Sequence, residues 1–580
     1  NSNTNNDIEI YKGKIRVFKF IEDVNGNKDW AQIGEDIEGD SGKPNGQFGH
    51  SVACLKYKRT FTDAGDLDFI RVCAGAPNAA VGGTKRGYVG VYNLNNNLSD
   101  KEWTVTVNNN GKYVFTNSND NTDTYTAQSG SDLPITYGEK HIFDYSAVTG
   151  HPLGFGFQAD GANNSAISDG DYNALKIERD TDNHKVTLTL KQTHKKDAAN
   201  PYGNTDRIQG ILYYFCTNHN GMGSQFDIEN CWVGGTGISN NNSAPQTESN
   251  GNGPLQFGIG VAMGFDDTAD DDEKLVMTVS SGGEPAAGGA TADWLIAPGQ
   301  VDAFRYDYDN GTWIAYGNAN STAATTTSPV YGGGDFDDNT SHGTSGNLAR
   351  SMSLTKDGNY MAVGVAGKDY TPNGGTSQSN VGAVILFKRL FNSGASNSWE
   401  KVGEITGEQH GNNLNNTQLT DRNFGKNVSI TRLGTDIFIA ATTSKTESDD
   451  EAGEVLIYKY DETNNADFTW TGANTNIEKV KNSIVSNGSD LDFGTPDITL
   501  TDSQSGSDRR VVITNRGDTV IFGGPERGPS TPGNANDLTQ YGSLSVWNSG
   551  IYFKKLEGAT TTSTDENEMT YQWTGETNTF

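Results

Sequence analysis

The stretch from Phe48 to Trp103 decides the fold, because it contains one complete structural unit. It begins with "FGHSVAC" (48–54), continues with "IRVCAGAP" (70–77) and "GYVGVYNL" (87–94), and ends at Trp103. Each quoted segment is a short run of β-branched, aromatic and small residues between turn-forming segments, which predicts a strand. Together with the strand around Trp103, the stretch is predicted to form a unit of four strands.

This unit recurs along the chain. An alternating apolar strand precedes a tryptophan six times, at Trp30, Trp103, Trp313, Trp399, Trp470 and Trp573. A Phe-Gly pair opens the preceding half of most units, at Phe48, Phe257, Phe424 and Phe493. The pattern predicts an all-β fold, a β-propeller of about five to six four-stranded blades with one blade incomplete. Small residues in the second strand are expected to pack tightly near a central axis, and the tryptophans are expected to fill the core.

The first unit resembles a known repeat class. The segments "WAQIGEDIEGDSGKPNGQFGHSVAC" (30–54) and "VCAGAPNAAVGGTKRGYVGVYNL" (72–94) are similar to the FG-GAP-like propeller repeats of secreted and surface proteins from marine microbes, plankton and their viruses. The resemblance implies a β-propeller that serves in adhesion or as a structural spacer, with no chemistry of its own.

Composition and charge narrow the partners. The chain of 580 residues carries 73 acidic and 43 basic residues, a formal net charge of -30. Such a surface repels phosphate backbones and anionic membranes, so nucleic acid is excluded as a partner. No apolar run is long enough to span a bilayer. The acidic, Asn-rich surface and the sequons at Asn97 and Asn427 favour an extracellular, virion-surface or cell-surface location, and the start at Asn1 suggests a processed product or a fragment.

A long segment interrupts the repeats. About 150 residues separate Trp103 from Phe257, which is far more than a blade connection needs. The predicted organisation is therefore a first propeller part at 1–104, an inserted β-sandwich at 105–236, a linker at 237–254 and the remaining propeller at 255–580.

The insertion contains four residues with the chemistry of copper ligands. Cys216, His219 and Met222 follow the apolar run "ILYYF" (211–215), and His151 lies 65 residues upstream of Cys216. Two imidazoles, a thiolate and a weak axial thioether form the ligand set of a blue-copper site, because this mixture suits both copper oxidation states. These residues are therefore the predicted metal ligands.

The insertion as a whole resembles a cupredoxin. Its "HPL" (151–153) and "YYFCTNHNGMG" (213–223) are similar to segments of cupredoxin-like modules. The resemblance implies that His151 and His219 are imidazole ligands, that Cys216 is the thiolate and that Met222 is the axial group of a type 1 copper site.

Other arrangements of the cysteines stay open at this point. Cys216 could instead form a disulfide with Cys231, or the four ligands could simply pack without metal, and Cys54 could either bridge to Cys73 or remain a free thiol beside it. His141, His184 and His194 follow no ligand spacing and are interpreted as surface or packing residues.

The remaining patterns are less specific. The acidic clusters Asp266–Glu273, Asp307–Gly311 and Ser168–Asn173 suit calcium as oxygen donors, although "DYDNG" (307–311) is also good turn chemistry. No nucleophile elbow, metalloprotease helix or phosphate loop is present, so no catalytic residue is predicted and the protein is expected not to be an enzyme.

The sequence thus supports three functional hypotheses. The first is a structural or adhesion protein whose propeller carries the cupredoxin-like module toward a receptor, a glycan or other surface proteins, with a homo-oligomer as one arrangement. The second is a blue-copper electron-transfer protein. The third is a glycan-binding propeller.

Overall fold

The computed structural model of the chain describes its strands and the turns between them. The described residues are 13–22, 28–40, 46–61, 65–81, 84–85, 87–95, 98–119, 123–128, 132–158, 166–172, 174–195, 212–234, 238–239, 257–266, 268–269, 274–281, 300–315, 348–370, 377–390, 399–406, 422–443, 454–461, 468–469, 477–485, 510–513, 519–527, 541–549 and 573–577. Within these ranges the chain is all-β apart from one 3-10 turn at Ser146–Val148, and no helix in them is long and apolar enough to cross a bilayer.

The chain forms two compact units. The larger comprises Asn1–Gly13, Gly39–Val91 and Thr236–Phe580, and the smaller comprises Lys14–Glu38 and Tyr92–Gly235. This division differs from the domain boundaries expected from the repeats, since Lys14–Glu38 groups with the inserted segment. The expected linker at 237–254 lies almost entirely outside the described residues.

The larger unit is a series of sheets whose main strands are antiparallel and follow one another in chain order, as in the blades of a β-propeller. Phe468–Thr469 is an exception, because it pairs in parallel with Trp399–Thr406 from a later position in the chain. None of these sheets closes on itself. The successive sheets contain Ser51–Phe61, Gly65–Ala76, Tyr88–Leu94 and Ile238–Ser239; Gly260–Phe265, Leu275–Ser281, Gln300–Asp307 and Thr312–Ala315; Leu348–Leu354, Tyr360–Val365, Ala383–Arg389, Trp399–Thr406 and Phe468–Thr469; Val428–Leu433, Asp436–Thr442, Glu454–Asp461 and Ile477–Val485; and Arg510–Ile513, Thr519–Arg527, Tyr541–Ser549 and Trp573–Thr577. A short hairpin pairs Ala80–Val81 with Thr84–Lys85.

Consecutive sheets pack face to face. In the strand Tyr360–Val365, Met361 and Val363 belong to a buried cluster shared with the preceding sheet. Their neighbours Tyr360 and Ala362 belong to a second cluster, shared with the following sheet. Because successive side chains of a strand point to opposite faces, one strand supplies both contacts, and all six residues of this strand are buried.

The Phe-Gly repeats form the joints between sheets. Gly87 makes an isolated parallel bridge to Phe257, and Gly382 makes the same bridge to Phe424. Both phenylalanines are completely buried, and burial of such a side chain contributes about 1.5–3 kcal/mol. At these two places, therefore, the Phe-Gly pair begins a new sheet by pairing with the residue just before the third strand of the sheet before it.

The small residues of the second strand have a specific neighbour at these joints. A Cβ atom added to Gly75 would lie 1.8 Å from the carbonyl oxygen of Gly258, and one added to Gly364 would lie 1.9 Å from that of Gly425. Glycine is therefore required at both positions by the close approach of the Phe-Gly backbone of the next sheet.

The smaller unit is built around two sheets. The larger of them contains, in order, Thr124–Thr126, Tyr113–Asn117, Lys101–Val107, Lys140–Asp144, Lys185–Leu190, Leu175–Asp180 and Gly170–Asp171. The other contains Leu133–Thr136, Ser224–Glu229, Tyr213–Cys216 and Leu153–Gly156. A small three-stranded sheet contains Thr193–Lys195, Lys28–Ile33 and Phe18–Glu22, in that order. Two further pairings are those of Lys14–Ile15 with Ile37–Glu38 and of Trp232–Gly234 with Tyr92, Asn93 and Leu94.

Aromatic rings fill the space between the two sheets. Phe115 of the seven-stranded sheet meets Tyr214 of the four-stranded sheet edge to face, with ring centroids 4.8 Å apart. Phe143 contacts Phe155 and Phe226 at 5.7 and 6.2 Å. All five rings are almost completely buried, so the unit is a β-sandwich with an aromatic core.

The tryptophan of the first predicted repeat is not a core residue. Trp30 is 59% exposed, and its ring meets that of Phe20, itself 52% exposed, at 5.3 Å. The prediction of core packing is therefore wrong for Trp30, because its strand lies in the small three-stranded sheet with Thr193–Lys195. It holds for Trp103 and Trp399, which are buried.

Candidate metal centre

Two paired strands position the predicted ligands. The strands Leu153–Gly156 and Tyr213–Cys216 are antiparallel, with Leu153 directly opposite Cys216. His151 comes two residues before the first strand, and Cys216 is the last residue of the second. Antiparallel pairing places the start of one strand beside the end of the other. The side chains of His151 and Cys216 therefore lie close together, although 65 residues separate them along the chain.

The side chains of three of the predicted ligands lie close together. The Nδ1 atoms of His151 and His219 are 3.1 Å apart. The Sγ atom of Cys216 lies 3.8 Å from Nδ1 of His151 and 3.5 Å from Nδ1 of His219. Among the described residues, histidine, cysteine, aspartate and glutamate side chains come close enough to share a metal ion at this cluster, which consists of His151, Cys216 and His219.

These distances fit a single ion. A triangle with these three sides has a circumscribed circle with a radius of about 2.0 Å, close to the ~2.0–2.3 Å of metal–nitrogen and metal–sulfur bonds. A hydrogen bond between the two histidine rings would explain their separation but not the position of the Cys216 sulfur, which lies at a similar distance from both rings. The residues present therefore fit a trigonal N2S site.

Solvent reaches the ligands unequally. The Cys216 side chain is 1% exposed, whereas His151 is half-buried and His219 is exposed. The sulfur is therefore shielded from water and oxidants, and one imidazole edge faces solvent.

The fourth predicted ligand lies in the same loop. Met222 follows Cys216 by six residues and is 4% exposed. Its carbonyl oxygen accepts a hydrogen bond of 3.1 Å from the backbone N–H of Tyr113, which ties this end of the loop to the seven-stranded sheet.

Tyr113 also holds the other end of the site. Its hydroxyl donates a hydrogen bond of 2.7 Å to the carbonyl oxygen of His151. Burial, and secondly the nearby Cys216, raise the pKa of Tyr113 far above its ordinary value, so the hydroxyl stays protonated and remains a donor. One buried residue therefore fixes the backbone of two predicted ligands.

Further hydrogen bonds hold the segment that contains His151 and the loop that follows Cys216. The N–H of His151 donates to the carbonyl of Val148 at 2.8 Å, and the N–H of Thr217 donates to the carbonyl of Pro152 at 3.0 Å. The side chain of Gln128 donates to the carbonyl of Gly223 at 3.0 Å. These contacts constrain the backbone on both sides of the ligands, which favours a site that is formed before an ion arrives.

Sequence reasoning missed Tyr113. It sits in "GKYVF" (111–115), a strand segment with no ligand-type spacing. The available signal was a polar aromatic residue in an otherwise apolar strand, and such a residue usually needs a buried hydrogen-bond partner.

The other histidines of this unit lie apart from the cluster. His141 is fully buried, its Nδ1 accepts a hydrogen bond of 3.2 Å from Nε1 of Trp103, and its Nε2 lies 3.3 Å from Oε2 of Glu139. The ring of His184 lies against that of Tyr145. His194 is in a short strand, paired with Gln32.

All four cysteines are free thiols. A bridge between Cys54 and Cys73 is disfavoured by register, because Cys73 is opposite Ala53, so Cys54 is exposed on one face while Cys73 is buried on the other. Burial raises the pKa of both Cys73 and Cys231 to about 12. The disulfide alternatives for Cys216 and Cys54 are therefore not realised in this structure.

The acidic clusters use their carboxylates locally. Asp307 accepts hydrogen bonds from the backbone N–H groups of Asp309 and Asn310, at 2.9 and 3.1 Å. Asp266 is buried and accepts from Thr268 and from the side chain of Asn359. In the third cluster Asp169 pairs with Arg179 at 3.0 Å. Residues 267, 270–273 and 173 of these clusters lie outside the described part of the chain.

Comparison with known proteins does not assign the chain to a family. No family model and no curated protein matches the chain. Among solved structures, the crystal structure of the tricorn protease is similar at 10% identity and a TM-score of 0.21, over 88% of this chain and 51% of that one. The chain thus spans about half the length of that protease, and so low a TM-score carries no argument about activity.

One prediction is nevertheless corrected by this comparison. The sequence indicated that the protein is not an enzyme, whereas a solved structure that matches is that of an enzyme. The prediction is therefore withdrawn, and no reaction is assigned to the chain in its place.

Proposed function

We propose that the smaller unit binds one copper ion of the type 1 kind and serves in electron transfer. His151, Cys216 and His219 would hold the ion, with Met222 as the weak fourth ligand. The observation that carries the proposal is the triangle of two imidazole nitrogens and one sulfur, with sides of 3.1, 3.5 and 3.8 Å. The resemblance of "HPL" (151–153) and the Cys-x-x-His-x-x-Met spacing to cupredoxins supports the same ligand set.

The donor set favours copper over other ions. Structural zinc sites usually have four strong ligands from cysteine and histidine, whereas here the thioether of Met222 would be a weak fourth ligand beside three strong ones. A bound copper ion would supply one-electron redox chemistry. The surrounding residues support this use, because the aromatic sandwich and the hydrogen bonds of Tyr113 hold the ligands in place in either oxidation state.

Exposure defines where a redox partner would approach. Cys216 is shielded by the protein, and His219 is the exposed ligand. A partner docked over His219 would be separated from the site by a single imidazole ring, while water would be kept from the sulfur.

The test is a copper titration with a matched cysteine control. Purified protein receives Cu(II), and visible absorption, electron paramagnetic resonance and metal content are recorded. We expect one copper per chain and an intense thiolate-to-copper absorption. Cys216→Ser should lose the absorption, whereas Cys54→Ser, which alters an exposed cysteine of the other unit, should keep it.

Two results would contradict the proposal. One is stoichiometric copper without the thiolate absorption. The other is preferential retention of zinc in a competition between equal concentrations of the two ions, which would indicate a structural metal site in place of a redox centre.

A second role is supported by the larger unit. We infer that its repeated sheets form a rigid scaffold for contacts with surface proteins, a receptor or a glycan, in an extracellular or virion-surface setting. The buried Phe-Gly joints at Phe257 and Phe424 tie two pairs of successive sheets together, which suits a structural spacer. Light scattering for self-association and a glycan array test this role. A monomer that binds no glycan and no surface protein would contradict it.

A further inference from the structure

A cavity in the larger unit has the opposite charge to the molecule as a whole. It has a volume of about 670 Å³, and its walls include Lys56, Lys58, Lys356 and Arg432 but only two acidic residues, Asp68 and Asp357. The chain has a formal net charge of -30, so a cavity with an excess of two positive charges is unexpected from composition. Its volume lies within the range of about 300–1,000 Å³ that is typical of small-molecule sites.

Three separate elements deliver the positive charges. Lys56 and Lys58 belong to the strand Ser51–Phe61 and are two residues apart, so they lie on the same, exposed face. Lys356 lies in the turn between Leu348–Leu354 and Tyr360–Val365, where its carbonyl accepts a hydrogen bond of 2.7 Å from the N–H of Phe265.

Arg432 comes from the strand Val428–Leu433 of the next sheet. Its Nε donates a hydrogen bond of 3.0 Å to the carbonyl of Gly434, and its guanidinium lies 5.5 Å from the centre of the Tyr360 ring. The arginine is therefore held in place at the cavity wall.

Two of the four positive charges are already paired. Nζ of Lys56 lies 2.9 Å from Oδ2 of Asp68, and Nη1 of Arg432 lies 2.9 Å from Oδ2 of Asp357. Lys58 is opposite Asp68 in the sheet register, but that carboxylate is bound by Lys56. Within the described part of the chain, Lys58 and Lys356 therefore have no ion-pair partner of their own.

We propose that this cavity binds a small molecule carrying a compact tetrahedral oxyanion, a sulfate or phosphate monoester. Ammonium groups act as point charges toward such oxyanions, and here they approach from different elements, which suits a group with three terminal oxygens. A planar carboxylate is best met by a free arginine fork, and the fork of Arg432 is engaged with Asp357. A long polyanion is disfavoured because the rest of the surface repels it.

Calorimetric titration at low ionic strength tests the proposal. The probes are inorganic sulfate, inorganic phosphate, glucose 6-sulfate and glucose 6-phosphate, with acetate as the planar comparison. We expect saturable binding of at least one tetrahedral anion, weakened by added sodium chloride, and weaker binding of acetate. The paired sulfate and phosphate arms identify which ester the cavity prefers.

A charge-matched pair of variants locates the binding. Lys58→Gln with Lys356→Gln should weaken binding at least tenfold. The control, Lys140→Gln with Lys176→Gln, removes the same charge from lysines of the other unit that pair at the surface with Asp100 and Glu178, and should leave binding within twofold of the original protein. Lys58 and Lys356 are exposed, and the side chains of Lys140 and Lys176 are 41% and 39% exposed. Circular dichroism checks that each variant is folded.

Three outcomes would overturn the proposal. They are the absence of saturable binding of all four tetrahedral probes up to about 10 mM, equal weakening by the two double variants, and acetate binding as tightly as the best tetrahedral anion. None of them bears on the copper titration, since the cavity and the metal centre belong to different units.

Discussion

Removal of the Tyr113 hydroxyl is the sharpest test of how the metal centre is held. In Tyr113→Phe the ring remains in the core, and the hydrogen bond of 2.7 Å to the His151 carbonyl is lost. The bond from the backbone N–H of residue 113 to Met222 remains, because it does not involve the side chain. The substitution therefore removes the hydrogen bond to the His151 carbonyl, keeps the bond from the His151 N–H to Val148, and leaves the loop with Met222 in place.

The expected effect is larger on copper binding than on folding. A single hydrogen bond to a backbone carbonyl contributes about 0.5–1.5 kcal/mol, so the unfolding free energy of the metal-free protein should fall by about that amount. Groups that orient metal ligands affect affinity more strongly, by about 10–100-fold. We therefore expect the Kd for copper to rise within that range.

Competitive titration against a copper chelator measures the Kd, and urea denaturation of the metal-free protein measures the stability. Tyr137→Phe is the matched control, because Tyr137 is also buried in this unit and its hydroxyl binds Glu35 instead of a ligand loop. Tyr137→Phe should change stability and leave the Kd unaltered. An unchanged Kd and absorption spectrum in Tyr113→Phe would refute the reasoning.

Three further predictions concern packing, thiols and pH. Gly364→Ala should lower the unfolding free energy by about 1–3 kcal/mol or more in urea denaturation, since the new Cβ would meet the Gly425 carbonyl oxygen at 1.9 Å. Gly150→Ala, with open space around it, should have little effect. Ellman's reagent should label the exposed Cys54 in the native protein and the other three cysteines only after unfolding, because those three are buried. Partial desolvation raises the pKa of Cys54, so its labelling should become faster as the pH rises. Labelling of more than one thiol in the native protein would contradict the burial. Burial lowers the pKa of His141 below its ordinary value of 6.5, against the opposing effect of Glu139, so the unfolded chain binds more protons below that pH and stability should decrease as the pH falls. His141→Gln should make this decrease shallower in urea denaturations between about pH 7 and 5, and an unchanged slope would exclude His141 as its cause.

Much of the strand pattern could be predicted from the sequence. The Phe-Gly pairs and the small residues of the second strand are local signals, and the structure gives both a physical cause in the joints at Gly75 and Gly364. The proximity of His151 to Cys216 and His219 could also be predicted, because these residue types match the ligands of a known kind of metal site. That they bind copper together with Met222 stays a prediction.

Long-range pairing could not be predicted. The strand Lys28–Ile33 has the same alternating pattern as the later repeats, yet it pairs with Thr193–Lys195. Alternation shows which residues share a face but does not identify the partner strand. Tyr113 was missed for a related reason, because a hydrogen bond between distant backbone segments leaves no spacing in the sequence.

That pairing has a consequence for synthesis on the ribosome. Ile33 is made 160 residues before its partner Thr193, and at about 5–20 residues per second the early strand would wait roughly 8–30 s for the rest of its sheet. During this interval the exposed aromatic pair Phe20 and Trp30 would be available to chaperones. Segment 105–236 expressed by itself would lack this strand altogether, so a folding study of the smaller unit needs both of its chain segments.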